Sequence, residues 1–314
     1  MRREADQIHG RPETAASVSH LTRLIREARN LPTELRVLDL CTGTGCIPLL
    51  FHHEFYSARS DIELRLVGID ISTKALRLAN RNLQLLRCDR KYVHKGTTEF
   101  IMANVLLDPF ADHTRKPDDP LPLKPALILS RMPAFWDILI SNPPYISPSA
   151  FRMTTARSVR GFEPRLALVP PNKAGRGDTE QGDAFYPILL AAAREMEVKV
   201  VLLEVADLDQ ALRVAHMARN MQIFEGIEIW RDQPDQPDDS GPGTSHNFPL
   251  IGQGNGRSVL CWRGRGGSWL GKGDDTIPSF VRPDYPKIVL HRYDDPHHHG
   301  PEGLHGKVCG GNIF

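Results

Sequence analysis

Apolar and polar positions alternate between two periods along most of this chain. Ala16, Leu21, Leu24, Ile25 and Ala28 recur at helical spacing across residues 14–29, which predicts an amphipathic helix ended by Asn30 and Pro32. Leu35–Leu40 is a short apolar run and reads as a strand, followed by a helical stretch to about Phe55. The same alternation continues with a strand at Leu64–Ile69, a helix from Ser72 to about Leu86 and a strand at Glu99–Ala103. Further on come strands at Ile138–Ile140 and Val198–Val205, helices at Ala184–Met196 and Leu208–Asn220, and strands at Ile223–Trp230 and Arg257–Trp262. Seven strands alternating with helices predict a Rossmann-like α/β fold, a mostly parallel sheet covered by helices on both faces. Residues 108–134, rich in Pro and charge, and 232–256, rich in Pro, Asp and Gly, break the pattern and read as irregular insertions. Beyond Gly264 the chain is rich in Gly, Pro and His, and a disordered tail is expected.

Two turns in this pattern can carry chemistry. The first strand runs from Asp39 into Cys41-Thr42-Gly43-Thr44-Gly45-Cys46 and then a helix. Glycines let a ligand approach the backbone, and a helix N-terminus offers free N–H groups. The second strand closes on Asp70, about where dinucleotide folds place an acid that binds ribose hydroxyls. Asn104 ends the third strand at the same rim. The third glycine of a nicotinamide fingerprint is replaced by Pro48, and no Gly-Lys-Ser/Thr follows for a phosphate loop. An adenosine ligand without pyrophosphate fits better, and S-adenosylmethionine is the natural candidate.

The second turn is Asp137-Ile138-Leu139-Ile140-Ser141-Asn142-Pro143-Pro144-Tyr145-Ile146. Pro143 stops the strand and holds Asn142 extended. That presents Asn142 and Tyr145 at a strand's carboxyl end, where open α/β sheets bind ligands. The Asn142 side-chain carbonyl and the Pro143 backbone carbonyl are two adjacent acceptors suited to a planar NH2 group, and Tyr145 offers it a flat face. Drawing both hydrogens onto acceptors localises the nitrogen lone pair and aims it.

Composition changes this picture little. Charged residues make up 25% of the 314 and net charge is +1, so nothing in the bulk charge draws the chain to nucleic acid. The five cysteines form no Cys-x-x-Cys pair and suit a reducing compartment. No apolar run reaches membrane-spanning length. The His297–His299 run reads as solvated tail rather than as a metal site.

The segments Leu38–Cys46, Val67–Asp70 and Ser141–Ile146 together resemble the class I methyltransferase motifs, and specifically those of the HemK/PrmC family of protein-(glutamine-N5) methyltransferases. Val159–Leu168 and Arg11–Thr14 are similar to two further segments of that family. The resemblance covers roughly residues 8–262. It implies methylation of the glutamine in the Gly-Gly-Gln motif of peptide-chain release factors, with S-adenosylmethionine as cofactor. It implies cofactor contacts from Asp39, Thr42, Gly43, Thr44, Gly45, Asp70, Asn104 and Asn142, and a catalytic group of Asn142, Pro143, Pro144 and Tyr145. Asn104 departs from the family's usual Asp.

The expected organisation is an N-terminal helix over 1–34 without the family's helical docking domain, a methyltransferase domain over 35–262, and a tail over 263–314. A monomer with a release-factor partner, no membrane and no stable nucleic-acid binding is expected. Mitochondria are the expected compartment, with the cytoplasm as alternative. Two other readings stand beside this one: an adenine-N6 nucleic-acid methyltransferase, whose aryl NH2 poses the same problem, and an inactive binding module of the same fold.

Overall fold

The computed structural model describes residues 12–108, 119–155, 160–161, 163–237, 243–245 and 247–272. Arg11, Ser158, Val159 and Phe162, most of the 108–134 stretch's first half, and the tail beyond residue 272 lie outside the described residues.

The first half alternates as the pattern predicts. It comprises α1 (Pro12–Glu27), β1 (Glu34–Leu40), α2 (Cys46–Tyr56), β2 (Glu63–Asp70), α3 (Thr73–Arg87) and β3 (Thr97–Asn104). Next come β4 (Leu121–Pro122), α4 (Leu123–Leu129), β5 (Ile138–Ser141), α5 (Pro148–Met153) and α6 (Asp178–Gly182). The second half holds α7 (Tyr186–Glu195), β6 (Val200–Glu204), α8 (Leu208–Asn220) and β7 (Gly226–Gln233). It finishes with β8 (Gly243–Ser245), β9 (Phe248–Ile251), β10 (Gln253–Trp262) and α9 (Arg265–Trp269).

These strands form one sheet in the order β4-β3-β2-β1-β5-β6-β10-β7-β9-β8. The run from β4 to β6 is parallel, and β10 enters antiparallel between β6 and β7. Strand order therefore reverses at β1, with β2 on one side and β5 on the other. The sheet is covered on both faces. Leu38, Leu40, Leu139, Val201 and Leu203 face one core with α7 and α8, while Val37, Ile138, Ile140, Val200 and Leu202 face another with α1 and α2. Burial on both faces explains why β5 and β6 read as unbroken apolar runs.

Four expectations need correction. The sheet has ten strands rather than seven, because short edge strands β4, β8 and β9 extend it. The 108–134 stretch holds a helix, α4, whose Leu123, Ala126 and Leu127 are buried at helical spacing although Pro125 interrupts the sequence signal. The 232–256 stretch is not simply a loop, since β9 buries Phe248 and Leu250 on alternate positions and β10 begins at Gln253. The start of the supposed tail is also ordered: α9 buries Trp269, whose indole N–H donates to the Asn30 carbonyl at 3.1 Å.

Candidate active site

The reversal of strand order at β1 opens a crevice at the carboxyl ends of β1 and β5. Both chemical turns land there. Leu40 pairs with Ser141, and the buried Ser141 hydroxyl donates to the Leu40 carbonyl at 2.6 Å, tying the two strand ends together.

On the β1 side, Cys41 (φ 64), Gly43 (φ 55) and Gly45 (φ 76) all take left-handed backbone, which lets the strand reverse into α2 within five residues. The Thr42 N–H donates to the Ile69 carbonyl at 2.9 Å and the Gly43 N–H to Asp70 Oδ2 at 2.8 Å. Asp70 Oδ1 accepts from the Ser72 N–H. Asp70 is thus a strut between the glycine turn and the entry to α3. A Cβ on Gly43 would meet nothing within 4 Å, so its backbone faces open space. Gly45 differs: a Cβ there would lie 2.7 Å from the Phe100 ring.

Asp39 lies fully buried below this turn, and neither of its carboxyl oxygens has a hydrogen-bond partner; the Thr42 hydroxyl is likewise unpartnered. Burial pushes the Asp39 pKa up to about 8, with the neighbouring Thr42 hydroxyl opposing the rise and Asp70 adding to it. Thr44 Oγ1 contacts Cys46 Sγ at 3.1 Å, and the Thr44 carbonyl accepts from Asn82. Asn104 stands one strand further out, beyond β2. Its Oδ1 already accepts from the Leu106 N–H at 3.0 Å, a local cap of the strand end.

On the β5 side, Pro143, Pro144 and Tyr145 are buried and Asn142 is half-buried. Asn142 Nδ2 donates to Thr14 Oγ1 at 3.3 Å. Among the described residues, neither Asn142 Oδ1 nor the Pro143 carbonyl accepts a hydrogen bond. Tyr145 is anchored at both ends: its hydroxyl donates to Glu204 Oε1 at 3.1 Å, and its carbonyl accepts from Gln210 Nε2 at 3.2 Å. Tyr145 also borders a cavity of about 530 Å³ formed with Ser147, Ala206, Asp207, Arg213 and Arg257.

Three residues that the sequence reading passed over hold this turn. Gln210 spans it, giving its Nε2 to Tyr145 and Asp183 and taking the Ala206 N–H on Oε1. Asp183 in turn pairs with Arg213 at 2.6 Å. Glu204 accepts from Thr14 as well as Tyr145. One signal existed: Glu204 is the lone carboxylate closing the run Val198–Leu203.

A glycine turn into a helix, an acid ending the adjacent strand and a crevice at the point where strand order reverses define a doubly wound α/β fold with a ligand site at the carboxyl edge of its sheet. Among curated proteins, the chain is 36% identical over 138 residues to the "Probable MRF1 mitochondrial N(5)-glutamine methyltransferase mtq1" of Schizosaccharomyces pombe, covering 44% of this chain and 37% of that protein. It is 32% identical to the release factor glutamine methyltransferase of Chlorobaculum tepidum, over 51% of this chain and 45% of that protein. It is 31% identical to the mitochondrial MRF1 N(5)-glutamine methyltransferase MTQ1 of Saccharomyces cerevisiae, over 43% and 33%. The match therefore spans less than half the length of each of these relatives. A ribosomal protein uL3 glutamine methyltransferase from Bradyrhizobium diazoefficiens also matches, at 27% identity over 55% of this chain and 52% of that protein. No protein-family model matches the chain. The solved structure of an S-adenosylmethionine-dependent methyltransferase from Agrobacterium tumefaciens superposes at TM-score 0.41 and 14% identity, over 80% of this chain and 61% of that one.

Proposed function

We propose that this chain transfers a methyl group from S-adenosylmethionine to the side-chain amide nitrogen of a glutamine in a peptide-chain release factor, in mitochondria. The observation that carries the reading is the pair of unengaged acceptors, Asn142 Oδ1 and the Pro143 carbonyl, held on a proline-stiffened turn beside the glycine turn. A carboxamide has two N–H groups to give and one electron pair to expose. Two fixed acceptors take both protons, concentrate density on nitrogen and set its direction, without having to reorganise during reaction. The amide, once alkylated, is acidic enough to lose its proton to solvent, so no dedicated base is required.

The residues present fit the cofactor. The Gly43 backbone faces open space, and the Asp39 carboxyl and Thr42 hydroxyl below it have unspent hydrogen-bonding capacity. Asp70 takes one backbone N–H on each oxygen and keeps lone pairs for ribose hydroxyls. When bound, S-adenosylmethionine supplies a methyl group on a positively charged sulfur. Gly43, Gly45, Asp39, Thr42 and Asp70 would hold it. Support for the substrate class and the compartment comes from the names of the relatives, two of which are mitochondrial glutamine methyltransferases of yeasts. Among the described residues no helix is long and apolar enough to cross a membrane.

The test is incubation with labelled S-adenosylmethionine and a release factor carrying Gly-Gly-Gln, beside the same factor with Gln replaced by Ala and beside ribosomal protein uL3. Label confined to the intact release factor is expected. Asn142→Ala should lower kcat on the order of 10²–10³-fold, the usual cost of one such polar contact. Label on uL3 alone would redirect the substrate. Failure to bind S-adenosylmethionine would favour an inactive module, and steeply salt-dependent binding to DNA or RNA would favour the adenine reading.

A further inference from the structure

The side chain at residue 142 can serve as an acceptor only if its oxygen, not its NH2, faces the crevice. An Asn amide has nearly the same shape after a half-turn about its last bond, so something must select one orientation. Three linked groups do so. Glu204 Oε2 accepts the Thr14 hydroxyl at 2.5 Å, and Glu204 Oε1 accepts the Tyr145 hydroxyl at 3.1 Å. With its only proton committed to the carboxylate, Thr14 Oγ1 presents lone pairs alone to Asn142. An amide oxygen set against those lone pairs would be repelled, whereas the NH2 donates to them, and the 3.3 Å contact is made by Nδ2. The hydrogen-bond direction therefore runs Asn142 to Thr14 to Glu204, and it leaves Oδ1 outward.

The surroundings keep this selection from being bypassed. Thr14 is 7% exposed and Glu204 5%. The space among Thr14, Ser17, Asn142, Glu204 and Ser258 is only about 10 Å³, at the lower limit of what one water needs. A hydrogen-bonded chain in such a site polarises its members in one sense and makes the unmatched orientation costly.

We propose that Thr14 and Glu204 are positioning residues which lock the Asn142 amide with its oxygen toward the substrate, so that the first turn of α1 is part of the active site. This rests on the methyl-transfer reading for its consequence but not for its geometry. The experiment therefore has two arms, made on the full chain with Thr14→Val, Thr14→Ser and Ser17→Ala. Ser17 shares the same small space through a hydroxyl pair with Ser258 at 3.0 Å and lies off the chain.

In the first arm, nuclear magnetic resonance of ¹⁵N-labelled protein follows the Asn142 side-chain NH2, assigned by its loss in Asn142→Ala. Its protons should be protected from solvent exchange in wild type, in Thr14→Ser and in Ser17→Ala, and should lose protection in Thr14→Val. In the second arm, Thr14→Val should lower kcat on the order of 10²-fold, as misplacement of a catalytic contact does. S-adenosylmethionine affinity should be unchanged, and Thr14→Ser should restore turnover. Unchanged protection in Thr14→Val overturns the proposal whatever the activity. Lost protection together with unchanged kcat in Thr14→Val overturns it too. Protection that responds as expected in a wild type unable to methylate release factor keeps the lock and sinks the methyl-transfer reading instead.

Discussion

A carboxyl group sealed below a turn with no partner has two ways to settle: it keeps its proton, or it meets a cation. Asp39 takes the first course: burial lifts its pKa to about 8 from an ordinary value near 3.8. Between those values the folded chain holds a proton that the unfolded chain has released. Stability therefore falls as pH rises through the window, and the fall is complete only above the folded pKa. Asp39→Asn should flatten that slope, measured as urea-unfolding free energy at intervals from pH 4 to 8. If Asp39 meets the ammonium of S-adenosylmethionine, binding at pH 7 should also release a proton, seen by calorimetry in buffers of different ionisation enthalpy. Binding with no proton release would remove Asp39 from the cofactor site. The sequence marked Asp39 as a candidate, but not its isolation, which arises from strands on either side pairing Asp39 with Gly68 and Ile140.

At the scale of the element, the glycine turn shows how two like residues come to do different work. Gly43 and Gly45 both have positive φ, so any side chain costs about 1–2 kcal/mol of backbone strain. At Gly43 that is the whole cost, because the added Cβ faces open space. At Gly45 the Cβ would strike Phe100, and relieving it adds roughly 1–3 kcal/mol. Gly43→Ala should therefore weaken S-adenosylmethionine binding with a modest fall in melting temperature, and Gly45→Ala should be clearly the less stable of the two. Equal melting temperatures would refute the Phe100 contact. The turn's existence was legible in the alternation of strand and helix. The division of labour was not, because Phe100 comes from β3, more than fifty residues away. Elements interrupted by proline were also illegible: α4 and β9 carry the right buried spacing, but each is too short to outweigh a Pro in its own sequence.

At the largest scale, the first and last helices among the described residues meet. α1 lies against α2 and β7, and α9 returns to place Trp269, 2% exposed, against the Asn30 carbonyl just past α1. Trp269→Ala should cost about 3–5 kcal/mol, as large-to-small changes of buried aromatics do. Because α1 also carries Thr14, that variant should loosen Asn142 as well as lower the unfolding midpoint. A midpoint within error of wild type would show that α9 is not part of the closed core. The sequence by itself determined the parallel α/β order, the glycine turn, the strand-ending acid and the proline-stiffened acceptor turn, because each is written in neighbours that interact over a few residues. Only the tertiary structure decided which groups meet around them. Glu204 finds Thr14 and Tyr145 across 190 and 59 residues, and strand register at the switch point, a property of the whole sheet, brings them within hydrogen-bond reach.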